Sequence, residues 1–208
     1  MLLRRTGTTA ALLLTLSLSL AACGDDDDSG TSSGDENTPT SQMTEDSKAG
    51  AAADTFGPGC SAIPTSGAGS FNGMATEPVA TAASANPLLT TLVKAVGEAG
   101  LVDALNSAEG LTVFAPTDDA FAKIPKKDLN AVLADKDLLT TILTHHVVAG
   151  QLSPDQVAGT HETLAKDMLT VNGSDDAFTV GKENAAVLCG NIPTANATVY
   201  VIDSVLMP

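Results

Sequence analysis

Leu88, Leu89, Leu92, Val93 and Val96 recur at helical spacing along one stretch of the chain. Pro87 stands before them as a natural first-turn residue, and Gly97 and Gly100 supply the stop. Pro78 to Ala85 and Leu101 to Asn106 predict two shorter helical pieces. Leu111 to Phe114 reads as a strand. Asp118 to Lys123 reads as a helix with acids in its first turn, where the helix dipole favours them. Lys126 to Leu133 and Asp137 to His145 predict two more helices. After Gly150 the pattern changes to short strands: His161 to Leu164, Met168 to Val171, Phe178 to Val180, Ala186 to Leu188 and Thr198 to Leu206. Asn172-Gly173 and Gly190-Asn191 are the turn signals between them. Helices mostly first and strands mostly later predict an α+β fold, with no internal repeat.

The N-terminal part follows another pattern. Arg4 and Arg5 precede Ala10 to Ala22, an uncharged Leu-rich run too short to span a bilayer comfortably, which takes ~20 apolar residues. Residues 1–22 therefore read as an export signal. Residues 23–58 are poor in hydrophobic side chains and rich in Asp, Ser, Thr, Gly and Glu, so they cannot bury enough apolar surface to offset their ordering entropy. They predict a disordered acidic tether reaching on the order of 30 Å. Asp25 to Asp28 reads as a solvated charge run rather than a calcium site. Thr38-Pro39-Thr40 has the composition of an O-glycosylated stretch. Residues 59–208 form the predicted folded domain.

Leu20-Ala21-Ala22-Cys23 closes the export signal and resembles the lipobox of bacterial lipoproteins. The resemblance implies a diacylglyceryl group on the Cys23 thiol and cleavage that leaves Cys23 as residue one. The chain would then sit on the outer face of the cell membrane, held by its N-terminal acyl chains; two chains hold where one is marginal. An ordinary secretory peptide cut near Ala22 would leave a free thiol instead. Cys60 and Cys189 remain, and in an exported chain the simplest arithmetic pairs them. Closing a loop of about 130 residues contributes roughly 5 kcal/mol in the chain-entropy account. The rival reading is a reactive thiol, for which no helper group stands out.

Charge narrows the partners. The formal net charge is -15, and the 10 Lys plus Arg are scattered. Nucleic acid is excluded, because phosphate binding needs clustered cations. Aromatics make up 3 % of the chain, with no Trp and Tyr200 as the sole tyrosine. Stacking platforms for sugars or bases are therefore nearly absent. No HExxH, CxxC, GxSxG or GxxxxGKS motif occurs. His145 and His146 are adjacent on a helix, roughly 100° apart, and do not suit one metal; His161 is the third histidine. Asp118-Asp119 is accounted for by the helix start, whereas a paired-carboxylate hydrolase needs acids facing across a cleft. The expectation is no catalytic residue, no metal and no cofactor. Asn172-Gly-Ser and Asn196-Ala-Thr match the N-glycosylation sequon and read as chance matches, Asn172-Gly173 being a hairpin turn.

Three stretches share one family pattern: "TVFAPTDDAF" (Thr112 to Phe121), "LLTTILTHHVVAG" (Leu138 to Gly150) and "ATVYVIDSVLMP" (Ala197 to Pro208). In order and spacing they resemble a single fasciclin (FAS1) domain covering roughly residues 75 to 208. With the lipobox, the Glu77 to Pro87 segment and the two cysteines, the chain is similar to mycobacterial surface antigens of that family. The resemblance implies a seven-stranded β-wedge packed with several α-helices. It also implies Thr112, Phe114, Pro116, Thr117, Asp118, Phe121, His146, Tyr200 and Asp203 as family-motif residues. His145 departs from the pattern, which usually has Tyr there.

The residues themselves read the first motif as a strand-to-helix corner. Pro116 ends the strand, Thr117 caps the helix, and Phe114 and Phe121 enter the core. Of the two adjacent histidines one should point inward and one outward; the resemblance makes His146 the inward one, hydrogen-bonded across the core. For function the resemblance implies adhesion to envelope, matrix or host-surface protein or glycan. The expected face is the Thr112–Phe121 corner or the outer side of Lys123–Lys127. The alternative is carriage of an apolar small molecule, such as an envelope lipid, in an aliphatic cleft between sheet and helices. The hydrophobic content of 43 % fits that and fits a plain core equally. Recognition of the acyl group by innate receptors is a third possibility, compatible with either.

Overall fold

Strand β1 (Leu111–Pro116) is buried at every position, which requires cover on both faces of its sheet. The computed structural model describes residues 50 to 208 and shows where that cover comes from. β1 runs antiparallel to β2 (Val147–Ala149) and parallel to β7 (Ala197–Ile202). The sheet continues through β6 (Ala185–Pro193), β5 (Ala177–Val180) and β4 (Met168–Ser174) to β3 (Gly159–Glu162), with antiparallel pairings. The order is β2-β1-β7-β6-β5-β4-β3. Its two edges meet: Val148 bridges Thr163, and the Leu164 N–H donates to the Val147 carbonyl at 2.8 Å. The sheet is thereby an almost closed wedge.

Among the described residues there are eight α-helices. They are α1 (Phe71–Ala75), α2 (Val79–Ala85), α3 (Thr90–Ala99), α4 (Val102–Ser107), α5 (Asp118–Ala122), α6 (Lys126–Ala134), α7 (Lys136–His145) and α8 (Pro154–Val157). The two-residue alternation of a strand divides the interior into two cores. Val113, Ala115, Val199 and Val201 face the helices and pack with Leu92, Val96, Leu139 and Ile142. Phe114, Tyr200 and Ile202 face into the wedge and pack with Val171, Phe178 and Val180.

The expected α+β architecture is present. α6 and α7 lie within a residue of the expected bounds, and α3 stops at Gly100, whose φ of +71° suits the left-handed cap position. Other expectations need correction. α3 starts at Thr90, not at the first turn after Pro87, because a carboxylate from a distant segment caps it there. α1, β2 and α8 are each five residues or fewer, too short to show periodicity. Asn172-Gly173 is not a turn: both residues pair within β4, and the reversal lies at Asp175-Asp176, with Asp175 at φ +57°. Gly190-Asn191 lies inside β6 at a bulge, with Asn191 at φ +58°. β7 ends at Ile202, short of Leu206.

The tether boundary also moves. Residues 50–58 fall within the expected tether, yet Phe56 pairs with Gly190 and sets its ring 5.4 Å from that of Phe178. The Asn191 side-chain amide donates to the Asp54 carbonyl at 3.0 Å. Gly190 has to lack a side chain, because a Cβ there would lie 2.3 Å from the Phe56 ring. Cys23, the export signal and Asp25 to Asp28 lie outside the described residues. No helix among the described residues is long and apolar enough to cross a membrane.

Candidate functional site

The Thr112–Phe121 corner is a joint. The Thr112 hydroxyl donates to the Gly150 carbonyl at 2.7 Å and accepts from the Leu152 N–H at 2.9 Å, pinning the chain after β2 to β1. Thr117 caps α5 by accepting from the Ala120 N–H at 3.2 Å. Asp118 reaches sideways and accepts from the Thr90 hydroxyl and the Thr91 N–H, each at 2.7 Å. It therefore caps α3, which has no side-chain cap of its own. Partial burial raises the Asp118 carboxyl, but those hydrogen bonds outweigh it and hold the group below the usual carboxylate range. Residues 111–117 are all buried. Of the corner, Asp119 is exposed and Asp118 half-buried, so only its helix start reaches solvent, beside the exposed Lys123, Lys126 and Lys127.

Both members of the histidine pair are buried, which corrects the outward placement of His145. His145 Nδ1 lies 2.7 Å from Asp167 Oδ2. The other Asp167 oxygen accepts from the Thr163 hydroxyl. Desolvation raises Asp167, but the bonds from Thr163 and His145 hold it low. His146 links two segments: its Nδ1 lies 2.8 Å from the Ile142 carbonyl, and its Nε2 accepts from the Leu206 N–H at 2.9 Å. Because Nε2 accepts, the proton sits on Nδ1 and the ring is neutral. Burial lowers its pKa to about 4.

Tyr200 is fully buried, and its hydroxyl donates to the Leu152 carbonyl at 2.9 Å; burial pushes the phenol up. Asp203 accepts from Lys123 at 2.9 Å and from the Ala186 N–H at 2.8 Å. Burial raises its carboxyl, and these bonds outweigh that. Cys60 and Cys189 are joined by a disulfide with Cα atoms 4.8 Å apart, so the reactive-thiol reading falls away. The bridge fastens the turn after Phe56 to β6. Asn196, the second sequon residue, uses its side chain internally: it accepts from the Val79 N–H and donates to the Leu105 and Ala108 carbonyls, each at 2.8 Å.

The motif residues thus build the scaffold. The feature able to take a guest lies in the helix-side core. A cavity of about 180 Å³ opens between α2, α3, α4, α7 and β1. Its walls include Ala83, Val93, Val96, Leu105, Val113 and Leu143. Of the motif residues, Phe114 and His146 also reach it. A larger depression of about 390 Å³ lies open on the surface between Leu88, Leu188, Asp118, Asp119 and Lys123. Among the described residues no three His, Cys, Asp or Glu are placed to hold a metal ion.

The sequence reading missed Asp167, Phe56 and the cavity walls. Phe56 carried a usable signal, being the sole aromatic residue between Cys23 and Ser70. The cavity carried none, because periodicity marks a helix face as apolar without saying whether neighbouring faces meet.

Comparison with known proteins places this geometry. The fasciclin domain family model matches residues 87–208. The cell surface glycolipoprotein MPB83 of Mycobacterium bovis is 48% identical over 178 residues, 82% of this chain and 80% of that protein. The immunogenic protein MPB70 of Mycobacterium bovis is 52% identical over 167 residues, 76% of this chain and 84% of that protein. Among solved structures, a FAS1 domain pair from the insect cell adhesion molecule Fasciclin I matches with a TM-score of 0.48 at 23% identity. That match covers 57% of this chain and 45% of the other.

Proposed function

The chain belongs to the fasciclin domain family, and we propose that it is a lipid-anchored surface protein acting in adhesion to envelope, matrix or host-surface components. The observation that carries this reading is the 48% identity, over 82% of the chain, to a protein named as a cell surface glycolipoprotein. Cys23 is the proposed acyl attachment point, and the acidic segment after it holds the domain off the membrane. The burial of the motif residues favours binding through an outer face over a reaction centre. The exposed Lys123, Lys126 and Lys127 are the candidates for contacts with an anionic partner.

The test has two parts. Metabolic labelling with a fatty acid should mark the wild-type chain and leave Cys23→Ser unlabelled; equal labelling of both sinks the anchor. Immobilised protein should retain an envelope or host-surface component that an unrelated acidic domain does not, with weaker retention by K126E/K127E. Equal retention by the unrelated domain removes the adhesion reading.

A second reading is favoured by the cavity: the domain binds an apolar small molecule on its helix side. The void is apolar-walled and preformed, the usual character of such sites.

A further inference from the structure

We propose that the helix-side cavity binds the end of one unbranched acyl chain whose headgroup is uncharged and stays outside. This rests on the apolar-ligand reading above and names its ligand class. A cavity of about 150 Å³ holds a benzene-sized guest, so one of about 180 Å³ takes on the order of six to eight chain carbons.

The wall offers a headgroup nothing to bind. Its two polar side chains are already committed. The Thr144 hydroxyl donates to the Thr140 carbonyl at 2.7 Å. Both ring nitrogens of His146 are used, by Ile142 and Leu206. No Lys or Arg lines the cavity. Lys94 follows Val93 but points roughly 100° away around α3, and Lys166 is paired with Glu162 at 3.2 Å. A carboxylate head would find no countercharge in the wall of a chain whose net charge is -15.

The rim is apolar too. Val102 and Leu164, 38% and 39% exposed, both line the cavity and both reach solvent. Leu164 is held in place by its own N–H bond to Val147 and by the neighbouring His145–Asp167 contact at 2.7 Å. A chain entering the cavity past Val102 or Leu164 therefore meets hydrocarbon at the rim.

The experiment is calorimetric titration of the full chain carrying C23S, so that no acyl group of its own competes. The probes are glycerol monoesters of about four to ten carbons and the matching fatty carboxylates, near neutral pH. Monoester affinity should rise about fourfold per methylene and level off near six to eight carbons. Carboxylates of equal length should bind about tenfold more weakly. Ala83→Leu, which fills the cavity, should abolish binding while the protein stays folded. Val102→Lys sits at an exposed rim position that does not threaten folding, and should bring carboxylate affinity up to that of the ester. Carboxylates binding as tightly as esters would overturn the uncharged-head assignment and leave the apolar-ligand reading standing. Failure of both series would remove both. Binding undiminished by A83L and unchanged in preference by V102K would put the ligand elsewhere and overturn the site.

Discussion

The wedge interior and the helical layer are packed from different materials. Inside the wedge stand four of the chain's six aromatic side chains: Phe56, Phe114, Phe178 and Tyr200. Their rings interlock at centroid distances of 5.4 Å, 5.7 Å and 6.2 Å. The helical layer is mostly aliphatic and keeps a cavity of about 180 Å³. Strands that alternate strictly can present rings to one another at fixed spacing. Short helices joined by tight turns cannot adjust so finely, and their corners stay unfilled. His146 spans the boundary, bonded to Ile142 in the helical layer and to Leu206, which packs in the wedge. One region has used its space for rigidity; the other has space left for a guest.

The contrast can be broken in order of expected effect. Replacing both cysteines with alanine should cost as much as about 5 kcal/mol, read as a lower urea midpoint, because the bridge clamps the Phe56 segment over the wedge. Next comes a matched pair of truncations. Phe178→Ala, inside the wedge, should cost about 4 kcal/mol, whereas Leu92→Ala, facing space already partly empty, should cost about 2 kcal/mol.

Acid acts through the boundary residue. His146 titrates at about 4 in the folded protein against an ordinary 6.5. Between those values the unfolded chain binds a proton that the folded one refuses. Stability should therefore fall as pH drops from 6.5 toward 4, by about 3 kcal/mol in all, and this contribution should level off below 4. His146→Gln should flatten that window, measured as urea midpoint against pH. The smallest effects differ in sign. Ala185→Val, overfilling the wedge, should destabilise by about 2 kcal/mol, while Ala83→Leu, filling the cavity, should stabilise by about 1 kcal/mol.

How much of this was legible in the sequence depends on where each determinant lies. The β1–α5 corner was readable because Thr117 caps a helix only three residues on. α6 and α7 were readable because each carries its own apolar face. The start of α3 was not, since its cap is Asp118, 27 residues away from Thr91. α2 is similar: its first N–H groups are taken by Asn196 and Asn106. Gly190-Asn191 was read as a turn because bulges and turns call on the same left-handed backbone. The His145–Asp167 contact spans 22 residues and had no local sign. The motif residues were found readily, yet they proved to be joints and core, and although Phe114 and His146 reach the cavity, most of its wall is ordinary Val, Leu and Ala side chains on or beside α2, α3 and α4 that lie outside the motif stretches.

The most direct measurement of the two-core account is diffraction from crystals of this protein under xenon pressure, since dry apolar cavities take up xenon. The account predicts xenon density among Ala83, Val96, Leu105 and Leu143, with none between Phe114, Phe178 and Tyr200. An empty helix-side cavity, or xenon inside the wedge, would contradict it.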